Sequence, residues 1–176
     1  MGWKTFKEKF KVEHIVQITK KGLCIGSLYI HDLAVVNLQT GEIREKEYWE
    51  DFLKKHYPQL LEVNKEDILK IIKENDTFEK SIPVFTFYDG EILEKKAEVF
   101  GYPNLTHDGC LMYENTFFKT EKEAIEKAIM EMRYELEFYS NNIRDKKVEI
   151  KRFYQRYDTG SAKLKNLKSR LVTLNS

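Results

Sequence analysis

Short apolar segments separated by turn residues fill positions 13–45, and their side chains are mainly β-branched or aliphatic. Segments of this length and composition, bounded by turn residues, are typical of strands. We predict strands near 13–19, 23–30, 33–39 and 42–46. The dipeptide Thr40-Gly41 stands where a two-residue hairpin turn needs a positive φ.

Helical spacing of apolar residues appears next, in two segments. The first predicts a helix over 47–57 that ends before Pro58. The second predicts a helix over 65–75 with Asn64 as its N-cap. Residues 3–10 carry aromatic side chains at helical spacing and predict either a short amphipathic helix or an ordered extended arm.

A second β region is predicted over 82–118. Asp89-Gly90 marks a hairpin, and the His-Asp-Gly sequence at 107–109 marks another turn. Three antiparallel strands in a meander fit this stretch. Cys24 and Cys110 lie in apolar strand-like runs, so we expect both to be reduced and packed in a core.

Thr120 and Glu123 form a capping box that opens the last element. Apolar residues follow at 125, 129, 132, 136, 139, 143, 150, 153 and 157, and leucines resume the spacing at 164, 167, 171 and 174. These alternating steps of three and four form a heptad seam, broken within its first part only at Lys146. One continuous helix and a helical hairpin broken at Ser140–Asn142 both fit this pattern.

These elements together predict an α+β fold with antiparallel hairpins or a meander, two middle helices and a long C-terminal amphipathic helix. We divide the chain into an α+β body, residues 1–118, and a helix with a basic tail, residues 119–176. The tail packs on the body or projects from it.

Charge is distributed unevenly along the chain. The formal net charge is +1, yet residues 141–176 contain ten Lys/Arg and only three Asp/Glu. This segment is therefore expected to contact an acidic surface, either on a partner or on the chain's own N-terminal part. An apolar run of the roughly 20 residues that span a bilayer is absent, as is an N-terminal signal pattern. We expect a cytoplasmic protein.

The sequence contains few motifs that are typical of catalytic sites. The sequence contains no phosphate-binding glycine loop and no nucleophile elbow, and it implies no cofactor. His31-Asp32 and His107-Asp108 are the candidate metal-binding or general-base residues, if the two turns meet in space. Ordinary turn chemistry at 107–109 is the competing interpretation.

The basic stretch of the last helix carries the candidate binding site. A docked protein, contacted phosphates and a plain solvated face are the three interpretations. Tyr139, Phe153 and Tyr157 are bulky for a parallel zipper and favour a tertiary or heteromeric interface, with a homodimer as a further possibility. The candidate contact residues are Arg144, Lys147, Lys151, Arg152, Phe153, Tyr154, Arg156, Tyr157, Lys163, Lys165, Lys168 and Arg170.

The composition, with few Ala and many Lys, Glu, Ile, Asn and aromatic residues, resembles that of small accessory proteins of bacteriophages and mobile elements from AT-rich genomes. This resemblance includes no motif and implies no residue roles. It favours a non-enzymatic inhibitor that occludes a host-defence or nucleic-acid-handling complex, as anti-CRISPR proteins do. Sequence-nonspecific DNA or RNA binding is the first alternative, and a metal-dependent enzyme is the second.

Overall fold

The computed structural model describes residues 1–49 and 51–174, with side chains as far as Leu167 and at Ser169. Its contacts divide into two units, Met1–Glu126 and Lys127–Ser176. The helices and strands are α1 Trp3–Lys9, β1 Ile15–Thr19, β2 Gly22–Gly26, β3 Ala34–Val36, β4 Ile43–Glu45, α2 Phe52–His56, α3 Pro58–Glu62, α4 Lys65–Lys73, β5 Ile82–Tyr88, β6 Glu91–Ala97 and α5 Glu121–Leu174. The predicted α+β class is confirmed.

Strands β1 to β4 form an antiparallel sheet in which each strand pairs with the next one in sequence. All four predicted strands are present but shorter than expected. Strand β2 ends at Gly26 because Ser27 starts a turn, in which its hydroxyl accepts hydrogen bonds from the backbone N–H groups of Tyr29 and Ile30. Gly41 has a φ of +71°, and the carbonyl of Lys65 occupies the space that a Cβ would need, so only glycine fits this turn.

Helix α1 provides the centre of the larger core. Phe6 is fully buried and stacks obliquely on Phe10, and both pack with apolar side chains of the sheet and of α4. Gly2 donates a backbone hydrogen bond to Ile72, and a Cβ on Gly2 would lie 2.0 Å from the Ile71 carbonyl oxygen. This close approach of α1 to the end of α4 therefore requires glycine.

The N-terminus of α1 is capped from a distant part of the chain. No side chain of Gly2 can cap it, and the carboxylate of Asp76 does so instead. Asp76 accepts hydrogen bonds from the backbone N–H of Lys4 at 3.0 Å and of Thr5 at 2.8 Å, and also from the Thr5 hydroxyl. A carboxylate at this end also interacts favourably with the helix dipole.

The prediction of one helix over 47–57 was wrong. Tyr48 has a φ of +71°, which is incompatible with a helix, and α2 begins only at Phe52. Pro58 does interrupt α2, but it also opens α3, since a proline at the first helical position loses no hydrogen bond. Helix α4 has the expected N-cap, with the Asn64 side chain accepting a hydrogen bond from the N–H of Glu66.

The second β region contains the expected hairpin but not the expected third strand. Strands β5 and β6 pair along their whole length around Asp89-Gly90, where both residues have positive φ. Between 98 and 118 the chain pairs only through isolated bridges, at Thr106, Leu111 and Phe118. The turns at Gly101 and Gly109, both with positive φ, break up the stretch that the meander required.

Helix α5 is 54 residues long and continuous through Ser140–Asn142, so the helical hairpin is not formed. Its polar residues of low helix propensity bond within the helix. The Asn142 amide donates to the carbonyl of Phe138, and the Thr159 hydroxyl donates to that of Gln155. The capping box at its start is formed, with Thr120 and Glu123 bonding reciprocally.

We predict that Asp76→Ala lowers the free energy of unfolding by about 1–2 kcal/mol, because two N–H groups of α1 lose a charged acceptor. Urea unfolding of the full chain followed by circular dichroism measures this change. Glu62→Ala, at an exposed carboxylate, is the control and should change stability by less than about 0.5 kcal/mol. Equal effects of the two substitutions would show that Asp76 does not cap α1.

Candidate functional site

The heptad seam of α5 is exposed to solvent. From Ile129 to Leu167, its apolar side chains retain between 46% and 72% of their accessible surface, whereas Phe6 in the core of the first unit retains none. These seam residues are Ile129, Met132, Leu136, Tyr139, Ile143, Ile150, Phe153, Tyr157, Leu164 and Leu167. An apolar face of this length and exposure is unusual, since exposed apolar patches on monomeric proteins rarely exceed a few hundred Å².

The seam keeps one heptad register from Ile125 to Leu174. With Ile129 at position a and Met132 at position d, apolar residues occupy thirteen of the fifteen a and d positions. Lys146 and Gly160 are the two exceptions, both at position d. Because α5 is unbroken, these positions stay on one face if the helix adopts the slight supercoil that a period of 3.5 imposes.

The sequence-predicted contact residues fall into two groups on this helix. Phe153 and Tyr157 belong to the seam, whereas the charged residues and Tyr154 lie at the flanking and outer positions. Ten of the twelve are exposed along α5, namely Arg144, Lys147, Lys151, Arg152, Phe153, Tyr154, Arg156, Tyr157, Lys163 and Lys165. The side chains of Lys168 and Arg170 lie outside the described residues.

The N-terminal half of the seam was missing from the predicted site. Leu136 and Ile143 are about as exposed as Phe153 but were not among the predicted contact residues, and Tyr139 was named only as a bulky seam residue that favours an interface. The heptad register could have identified these residues, because it continues through the N-terminal half of the helix as well as the basic half. The basic charge drew the prediction to residues 144–170.

Lys146 interrupts the seam with a charge that is satisfied locally. Its ammonium lies 2.8 Å from the carboxylate of Glu149, one turn further along the helix. The hydrogen bond to Glu149 raises the pKa of Lys146, and the same bond lowers the pKa of Glu149.

A cleft in the first unit brings together three of the four residues that were candidates for metal binding or general-base catalysis. It lies between the two sheets, has a volume of about 970 Å³ and presents a mainly apolar surface, although polar and charged residues also line it. His31, Asp32 and Asp108 all reach it, as do Cys24 and Cys110. The two predicted turns therefore contribute to one cavity, as the metal hypothesis required.

The four His and Asp residues nevertheless do not converge on one point. Asp32 is paired with Lys21 and Lys46, and these two hydrogen bonds lower its pKa. His107 stacks on Phe78 with ring centroids 3.8 Å apart and is not among the residues of the cleft. Within the described residues, no three His, Cys, Asp or Glu side chains are grouped as metal ligands.

Asp108 and His31 have environments of opposite kinds. Burial raises the pKa of Asp108, but hydrogen bonds from Lys95 and Thr106 outweigh this effect, and the pKa lies below its usual value. The Nδ1 atom of His31 is buried without a hydrogen-bond partner, and its ring meets that of Tyr113 edge-on. Neither arrangement joins a nucleophile to a base.

The surroundings of the two thiols in the cleft do not favour the reactive thiolate form. Cys24 is buried and Cys110 is partly buried, and neither forms a disulfide. Burial raises the pKa of both thiols above the ordinary value, so less of the reactive thiolate is present at neutral pH. This agrees with the expectation that both cysteines are packed, reduced residues.

The chain matches no protein-family model, no curated protein and no solved structure. Among the described residues, no helix is both long enough and apolar enough to cross a lipid bilayer.

We predict that both native cysteines react more slowly with Ellman's reagent at pH 8 than the thiol introduced by Ser140→Cys, a position on the exposed surface of α5. Raised pKa values reduce the thiolate fraction, and burial limits access. Reaction of Cys24 should be the slower of the two because its side chain is almost fully buried. After denaturation the three thiols should react at similar rates. A native thiol that reacts as fast as the introduced one in the folded protein would indicate an activated nucleophile in the cleft.

Proposed function

We propose that this chain is a non-enzymatic protein-binding protein and that α5 is its docking helix. The observation that carries the proposal is the exposed heptad seam, which holds large apolar side chains in water along most of a 54-residue helix. Burial of one such side chain contributes roughly 1.5–3 kcal/mol. A partner helix that covered the seam would thus gain a large driving force.

The residues of the seam suit a protein partner better than a nucleic acid. Tyr139, Phe153 and Tyr157 are exposed, and aromatic side chains are the anchors on which protein interfaces most depend. Helices that bind other helices present anchors at a spacing of three and four residues, as this seam does. The charged residues around it would then form the polar rim.

The chemistry of the cleft supports a role without catalysis. Asp32 and Asp108 are engaged by lysines, and the thiols have raised pKa values. A general base or a nucleophile needs a neighbour that activates it. The metal-dependent alternative would have to rearrange these pairs before His31, Asp32 and Asp108 could share an ion.

Inhibition by occlusion is the narrower form of this proposal. A helix of this length, about 80 Å at 1.5 Å per residue, could cover an extended surface on a host-defence or nucleic-acid-handling complex. Its basic half would suit an acidic surface of such a target, or nucleic acid that the target holds. The composition, similar to that of bacteriophage accessory proteins, is what favours this class of target.

Direct binding of DNA or RNA is the alternative that one observation favours. Arg144, Lys147 and Lys151 are exposed and take part in none of the ion pairs found along the described part of α5. Such a strip could contact phosphates without reading sequence. Its affinity would then fall steeply with salt, in contrast to that of an apolar seam.

The test is capture of binding partners by the tagged full-length chain from nuclease-treated extract of its host, with a wash at high salt. We expect a discrete protein to be retained, and Phe153→Asp to reduce its recovery at least about tenfold because a charge would be buried in the interface. Val148→Asp is the matched control, since Val148 is also exposed but lies on the opposite side of α5. It should retain the partner.

The opposite pattern would contradict the proposal. If nuclease or salt removed all bound material, and if Lys147→Ala with Lys151→Ala reduced binding while Phe153→Asp did not, nucleic acid would be the ligand. Loss of binding in Phe153→Asp and Val148→Asp alike would also count against the seam as the docking face.

A further inference from the structure

We infer that the helix that covers the seam is α5 of a second copy of this chain, aligned antiparallel to the first. This inference rests on the proposed function, since it names the partner of the same docking face.

The spacing of the seam is that of a two-stranded coiled coil rather than of a helix lying on a globular surface. Apart from Lys146 and Gly160, apolar residues follow alternating steps of three and four from Ile125 to Leu174, which is a period of 3.5 over seven heptads. A helix that packs on a globular core usually presents a wider apolar stripe at a period near 3.6. Here most of the outer positions are polar, and the strict repeat favours one partner helix of equal length.

The two halves of α5 have opposite charge. Residues 121–140 contain six Glu and three Lys/Arg, whereas residues 141–174 contain ten Lys/Arg and three Asp/Glu. A parallel pair would place basic half against basic half. An antiparallel pair places each acidic half against the basic half of the second copy, so that the chain is complementary to itself only in this orientation.

The positions that flank the seam agree with the antiparallel orientation. In a parallel coil each g residue faces the e residue five places further along the second chain. None of these pairs joins an acidic to a basic residue in this sequence, and Glu121 would face Glu126. In an antiparallel coil g faces g, so that Glu135 meets Lys163 of the second copy in one register and Glu149 meets Arg156 in the register one heptad away.

The two interruptions of the seam cost less when the helices run in opposite directions. A parallel pair would bring the two Lys146 side chains together and would set Gly160 against Gly160, leaving a gap. In either of two antiparallel registers, which differ by one heptad, the seams of the two helices overlap along almost their whole length. In these registers Lys146 faces Ile150 or Tyr157, and Gly160 faces Leu136 or Ile143.

The buried area is sufficient for a stable dimer. If each apolar seam side chain lost roughly 80 Å² of accessible surface, two chains would bury on the order of 2,000 Å², which reaches the range of permanent dimers. Lys146 can keep its pair with Glu149, because its ammonium lies towards position g at the edge of the seam.

The first experiment measures the mass of the purified full-length chain by light scattering. We expect twice the 21.0 kDa of one chain. Ile143→Asp should return the mass to that of a monomer, because it places a charge at the buried a position. Val148→Asp, five residues away on the outer side of α5, should leave the dimer intact, and circular dichroism shows whether each variant keeps its helix.

The second experiment determines the orientation by the distance between two spin labels, one on each copy, attached through Tyr134→Cys. The antiparallel dimer predicts about 45–60 Å, from the rise of 1.5 Å per residue, and the parallel dimer about 20–30 Å. A label at Ala162→Cys identifies the register, since equal distances at the two sites place the midpoint at residue 148. The wild-type chain measures the background labelling of Cys24 and Cys110.

The outcomes separate this inference from the proposed function. A monomer in light scattering, or a dimer with a short distance between labels at residue 134, overturns the antiparallel dimer. If such a monomer still captures another protein in a manner that Phe153→Asp abolishes, the docking role of α5 stands and only its partner is different. A dimer that Ile143→Asp does not dissociate would overturn the inference as well.

Discussion

Burial of α1 is the constraint on which the first unit depends. This seven-residue helix contributes Phe6 to the centre of the core, approaches α4 through Gly2, and receives its cap from Asp76. Its Trp3 indole also donates a hydrogen bond to the carbonyl of His107, and Lys4 pairs with Glu98 at 3.0 Å. The four-stranded sheet, α4 and the turns after β6 are therefore all fixed against one short helix.

The cleft between the sheets follows from this arrangement. The backbone N–H of Ile18 in β1 donates to the carbonyl of Gly109, which holds the turn at 107–109 against the first sheet. A side chain at Gly109 would collide with Ile18 and Trp3, so glycine is required where the turn at 107–109 contacts β1. The cleft beside this contact is lined by Asp32 and Asp108, each paired with lysine, and by two thiols whose pKa values are raised by burial.

Helix α5 is stabilised differently from the rest of the chain. Among its described side chains, only Ala124 and Ala128 in the first turns are buried, and beyond them local contacts predominate. The ion pair Lys127–Glu131 and the capping box each add a few tenths of a kcal/mol to about 1 kcal/mol, and the pair Lys146–Glu149 is exposed to solvent. These contributions are small beside the apolar area of the seam, and an antiparallel second copy would supply the missing burial.

The sequence by itself determined the features that depend on neighbours along the chain. The hairpin at Asp89-Gly90, the Asn64 cap of α4, the capping box at Thr120 and the heptad seam were all predicted, because turn chemistry, capping and periodicity act within a few residues. The tertiary structure decided what sequence neighbours do not control. It set the positive φ of Tyr48, reduced a predicted strand to isolated bridges, and capped α1 with a carboxylate about seventy residues away. It likewise brought His31 and Asp108 to one cleft while it paired the candidate carboxylates with lysines, since long-range packing determines which charges meet.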